Sequence, residues 1–77
     1  MGIEVLTEDA IADAALQVLD RPMRLIELRE ELRKRGILVS YHRLRKVMRI
    51  LIERDLVACF KYGKAVMYIK KELPAEN

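Results

Sequence analysis

Between Ser40 and Asp55 the residues SYHRLRKVMRILIERD repeat at the helical period, and from Leu56 onward the apolar residues alternate instead. A chain that changes from period 3.6 to period 2 with no linker between must place a helix and a strand end to end. At about 100° per residue, His42, Arg45, Lys46, Arg49 and Glu53 fall along one side of that helix and Leu44, Val47, Met48 and Leu51 along the other. The second side suits a core. The first is cationic at most positions and lacks the interleaved acids of an ordinary solvated face.

Upstream, Thr7 is placed to cap a first helix running to about Leu19, with Glu8 and Asp9 in the turn where the helix dipole favours negative charge. Leu6 and Ile11 have the spacing of a hydrophobic staple, and Ile11, Ala14, Ala15 and Val18 form a narrow apolar stripe. Pro22 ends this helix and leaves Pro22 to Arg24 extended, in reach of a later strand. A second helix is predicted from Leu25 to about Arg35, with Leu25, Leu28 and Leu32 inward and Glu27, Glu30, Glu31 and Lys34 outward. Glu30 with Lys34 and Glu31 with Arg35 stand at i,i+4 spacing. Gly36 supplies the left-handed position that stops it, with Ile37 folding back on Leu32 as in a Schellman ending. Ser40 then caps the third helix, with Val39 and Leu44 at staple spacing. Helix, short glycine turn, helix is the helix-turn-helix unit.

The alternating stretch reads as two strands, Leu56 to Lys61 and Ala65 to Lys70, joined at Lys61-Tyr62-Gly63-Lys64, where Gly63 provides the positive φ of a tight hairpin turn. Phe60 and Tyr68 are expected between hairpin and helices, Tyr62 exposed at the tip, and Cys59 buried as a small hydrophobe. The tail from Glu72 to Asn77 shows no periodicity and reads as a frayed end, so a single domain spans residues 1–77 with an ordered core of about 7–71.

The chain's 77 residues suffice for one small core but not for a deep catalytic cleft with its scaffold. No glycine-rich phosphate loop, no Ser or Cys set with His and acid, and no HExxH or CxxC spacing occurs, so no enzymatic activity and no cofactor are expected. The single His42 has no second ligand at metal spacing. No apolar run approaches a membrane span, no signal-peptide layout is present, and the lone Cys59 fits a reducing cytoplasm. Net charge is +3, but residues 1 to 20 carry −5 with no lysine or arginine, which leaves +8 on residues 21 to 77. Between Ser40 and Lys64, Arg43, Arg45, Lys46, Arg49, Arg54, Lys61 and Lys64 face only Glu53 and Asp55 as acids. Such a dipolar molecule turns its basic end toward a polyanion.

The helix LIELREELRKRG with its glycine stop, the helix SYHRLRKVMRILIERDLV running straight into a strand, and the hairpin CFKYGKAVMYIKK together resemble the winged helix-turn-helix family over about Thr7 to Lys71. The phrasing is similar to small winged-helix transcription regulators common in archaea and their viruses. The resemblance implies an α+β fold of three helices followed by a two-stranded β-hairpin wing, with the third helix in the major groove of double-stranded DNA. On the matching positions, Ser40, Tyr41, His42, Arg43, Arg45, Lys46 and Arg49 would meet DNA from the helix, and Lys61, Tyr62 and Lys64 from the wing. Arg45 and Arg49 suit bidentate contact with guanine, and Arg43 suits phosphate. The short wing and the absence of a further C-terminal helix count against deep minor-groove insertion and a helix-mediated dimer.

A second reading is a protein-interaction winged helix that docks through the acidic first helix, where Leu16 lies beside Asp13 and Asp20 as a partly exposed apolar residue. A homodimer would have Gly2 to Leu6 and Leu16 as its candidate interface. RNA or single-strand binding ranks lower, since only Tyr41 and Tyr62 are expected to be free for stacking.

Overall fold

The computed structural model describes residues 7–71. The predicted Leu6–Ile11 staple, the Gly2–Leu6 segment and the tail 72–77 lie outside the described residues. Three helices, α1 (Glu8–Val18), α2 (Leu25–Lys34) and α3 (Tyr41–Glu53), precede two strands, β1 (Val57–Tyr62) and β2 (Ala65–Lys70), that pair as an antiparallel hairpin. This α+β layout is that of a winged helix, with the ends of each helix within two residues of the predicted ones.

The helix ends explain themselves locally. Thr7 Oγ1 accepts the Ala10 N–H at 3.1 Å, and Ser40 Oγ accepts the Arg43 N–H at 3.1 Å, each removing one of the donors that a helix start leaves unpaired. α2 starts differently: the Arg24 N–H donates to Glu27 Oε1 at 2.9 Å. That bond, helped by the charge of Arg24, holds the Glu27 carboxyl below its ordinary pKa. On its outer side α2 is laced by Arg33 with Glu30 at 3.3 Å and Lys34 with Glu31 at 3.4 Å, so the pairs run i,i+3 instead of the expected i,i+4.

α2 closes as the glycine stop predicts. The Ile37 N–H reaches the Leu32 carbonyl and the Gly36 N–H the Arg33 carbonyl, both at 2.9 Å, with Gly36 at φ +85. A Cβ at Gly36 would meet nothing within 4 Å, so only the backbone conformation opposes a side chain there. Gly36→Ala is therefore expected to cost about 1 kcal/mol, the penalty of an L-residue in the left-handed region, read as a lower urea midpoint with unchanged slope. α3 ends on the same hydrogen-bond pattern, Leu56 N–H to the Leu51 carbonyl and Asp55 N–H to the Ile52 carbonyl, but with Asp55 at φ +65 in the glycine position. Asp55 is also ion-paired with Lys71.

The helices bury one shared core. Ile11, Ala15 and Val18 of α1, Leu28 and Leu32 of α2, and Leu44, Val47, Met48 and Leu51 of α3 are buried, together with Leu19, Met23 and Val57. The segment after α1 behaves as predicted: the Met23 N–H donates to the Tyr68 carbonyl at 2.9 Å and the Tyr68 N–H to the Met23 carbonyl at 2.7 Å, a one-residue bridge on the β2 edge.

The register pairs Val57 with Lys70, Cys59 with Tyr68, Phe60 with Met67 and Tyr62 with Ala65. Residues paired across a hairpin share a face, and neighbours along a strand do not. Val57 and Tyr68 touch the core, which makes Val57, Cys59, Lys61, Val66, Tyr68 and Lys70 the inner face. Ala58, Phe60, Tyr62, Ala65, Met67 and Ile69 form the outer face.

Two expectations are overturned here. Phe60 is 40% exposed on the outer face and does not pack between hairpin and helices, whereas Tyr68 does pack against the core. Cys59 is exposed: it lies on the inner face opposite Tyr68, and the longer tyrosine side chain, not the thiol, packs against the core. The turn is also displaced: β1 continues through Tyr62, and the two-residue loop is Gly63-Lys64 with Gly63 at φ +64, the order of a type II′ hairpin turn.

Candidate nucleic-acid interface

α3 presents its cations because its apolar residues leave them no other side. With Leu44, Val47, Met48 and Leu51 buried, the 3.6 period turns Tyr41, His42, Arg45, Lys46 and Arg49 outward, and all five are exposed. His42, Arg45, Lys46 and Arg49 line one open depression on the surface. Ser40 is exposed at the helix start, and Arg43 is half-buried on the flank of the stripe.

The members differ in how they are held. Lys46 Nζ lies 3.7 Å from Glu8 Oε2, so the first turn of α1 borders the basic surface and supplies a carboxylate at its edge. Tyr41 has a partner that the sequence does not reveal. The Arg29 guanidinium of α2 lies over its ring at 4.3 Å from the centroid, and Arg29 Nε donates to the Val39 carbonyl at 2.9 Å. Arg29 thus links α2 to the turn and to the first residue of α3. Arg29 and Arg33 line a second open depression with Ile37, Leu38, Val39 and Ser40, so basic surface continues from α3 onto α2. No local pattern marks Arg29, since its partners lie ten and twelve residues away across the turn.

On the hairpin, Lys61, Tyr62 and Lys64 are all exposed, Tyr62 at 75%. Lys61 stands on the inner face, Lys64 in the loop and Tyr62 on the outer face. On the inner face, burial raises the Tyr68 hydroxyl pKa, the neighbouring Cys59 adds to the rise, and the charge of Arg45 opposes it. The structure brings His42, Arg45, Lys46 and Arg49 together and leaves Tyr62 facing away from Lys61.

Among the described residues, no group of three or more His, Cys, Asp or Glu side chains gathers as metal ligands would, and no helix is long and apolar enough to cross a membrane. Leu16, expected beside Asp13 and Asp20 as a partly exposed apolar residue, is half-buried, with part of its side chain packed against the core. Comparison with protein-family models, with curated proteins and with solved structures finds no match for this chain.

Proposed function

We propose that this chain binds double-stranded DNA as a transcription regulator of the winged-helix type, with α3 in the major groove and the hairpin loop on the adjacent backbone or minor groove. The observation that carries the reading is the grouping of His42, Arg45, Lys46 and Arg49 in one exposed depression on α3, opposite the face that builds the core. An α-helix fits the width of the major groove, and arginine satisfies the O6 and N7 acceptors of guanine bidentately. Arg45 and Arg49 are assigned to base edges and His42 to a neighbouring one. Ser40, Tyr41, Arg43 and Lys46 are assigned to the flanking phosphates, and Lys61 and Lys64 to the backbone beside the wing. Arg29 and Arg33 extend the phosphate-facing surface at the turn.

If four to six of these cations neutralise phosphates, log K falls with log salt at a slope of about −4 to −5 per chain. Fluorescence anisotropy against random-sequence duplex at several salt concentrations measures it. A slope near zero, or no binding at tens of micromolar protein in low salt, refutes the reading.

A further inference from the structure

The outer face of the hairpin carries six side chains, Ala58, Phe60 and Tyr62 from β1 and Ala65, Met67 and Ile69 from β2, and none is charged. Pro22, also exposed, completes it, lining a cleft with Phe60, Tyr62 and Met67. In a chain that is 35% charged, an uncharged sheet face needs an explanation. Its cations are elsewhere: Lys61 and Lys70 project from the inner face and Lys64 lies in the loop.

We propose that this face is the contact between two copies of the chain, packed sheet against sheet about a two-fold axis. Charge is the first argument. The phosphates of a nucleic acid and the side chains of a charged peptide find no opposite charge on this face, whereas a second copy brings another uncharged face and buries no ammonium group. Interface cores are depleted in charge and enriched in Tyr, Phe and Met, which is the composition here. Area is the second. Tyr62 at 75% and Phe60 at 40% exposure leave roughly 230 Å² of aromatic side chain in water. With the smaller residues and Pro22 the patch is on the order of 400 Å². Two copies bury about twice that, and since apolar atoms make up about 65% of a homodimer interface, the total is roughly 1,200 Å². That stands at the lower edge of specific dimers, where a dissociation constant of about 1–100 µM is expected. The pleat suits the geometry, because two such faces interdigitate at a separation of about 10 Å.

The proposal does not depend on DNA binding and is tested without DNA. Sedimentation equilibrium of the full chain from about 5 to 500 µM is expected to show reversible monomer–dimer exchange. Phe60→Glu puts a charge in the middle row of the face and Tyr62→Glu one on its most exposed side chain, and each is expected to weaken the contact about 30-fold or more. Val66→Glu puts the same charge on the inner face of the same hairpin and is expected to leave the dimer unchanged. Circular dichroism melts establish that each variant is folded, which the exposure of Tyr62 and Val66 favours. A monomer at 500 µM overturns the proposal, and is the result expected if a terminal segment of the same chain covers the face. Equal dimerisation of wild type and Tyr62→Glu, or equal loss in Val66→Glu, overturns it as well.

Discussion

Replacing Arg45 and Arg49 together by alanine is expected to weaken duplex binding at least about 30-fold at fixed salt, with no loss of fold. A bidentate arginine–guanine contact contributes about 1–3 kcal/mol, so two of them set a lower bound of about 2 kcal/mol. Both side chains are exposed on the face of α3 that the core does not use, and neither makes an ion pair with another described residue. The melting temperature should therefore stay within about 2 °C of wild type, as for substitutions remote from buried features. The single variants separate two roles for the same charge. A guanidinium on a base edge relaxes the preference at one position, whereas one on a phosphate lowers the affinity for every sequence and removes about one unit of salt slope. If the double variant binds as tightly as wild type, α3 is not the element that meets the duplex.

Leu44→Ala is expected to have the largest effect on stability, about 3–4 kcal/mol. Leu44 is fully buried in the first half of α3. Removing three carbons there loses transfer free energy and leaves a cavity that the neighbouring helices fill only in part. A domain of this size is stabilised by about 4–12 kcal/mol in all, so the loss is a large fraction of the whole and corresponds to a melting point lower by roughly 12–30 °C. Leu44 occupies the buried side of the helix that carries the DNA-facing stripe. In low salt and the cold, where the variant remains folded, its affinity for duplex should fall far less than that of the arginine double variant. A loss below about 1 kcal/mol would mean that Leu44 is not enclosed as the structure places it.

The features that were legible in the sequence are those written in short spacings. Thr7 and Ser40 sit next to the apolar positions whose helices they cap, and Gly36 stands where the left-handed residue falls. The cationic stripe of α3 follows from the same period that defines its buried side. The start of α2 was less legible, because its cap is a carboxylate reaching back from Glu27 to Arg24 with no Ser or Thr to announce it. The hairpin shows where alternation stops being informative. Phe60 and Tyr68 were expected to share the inner face, yet the register pairs Phe60 with Met67 and Cys59 with Tyr68, so the two rings belong to opposite faces. Alternation fixes which residues go together along one strand. It does not fix the register of its partner, nor which inner-face side chains reach the helical core, and of the pair Cys59–Tyr68 only the tyrosine does. Arg29 was hidden for a related reason, since its bonds to Val39 and Tyr41 exist only after the turn has formed.

The bridge between Met23 and Tyr68 bears on the order of events during folding. More than half of the chain separates the two residues, and their paired hydrogen bonds close the loop that contains α2, α3 and β1. Closing a loop of that length costs conformational entropy that helix formation within it does not recover until Met23, Val57 and Tyr68 meet. The helices can form early from local contacts, but Met23 has no backbone partner until β2 has been synthesised and docked. On a ribosome the polypeptide would therefore complete its core only after Tyr68 has emerged. Kinetically, substitutions at Met23 should change the unfolding rate more than the folding rate if that closure comes after the transition state.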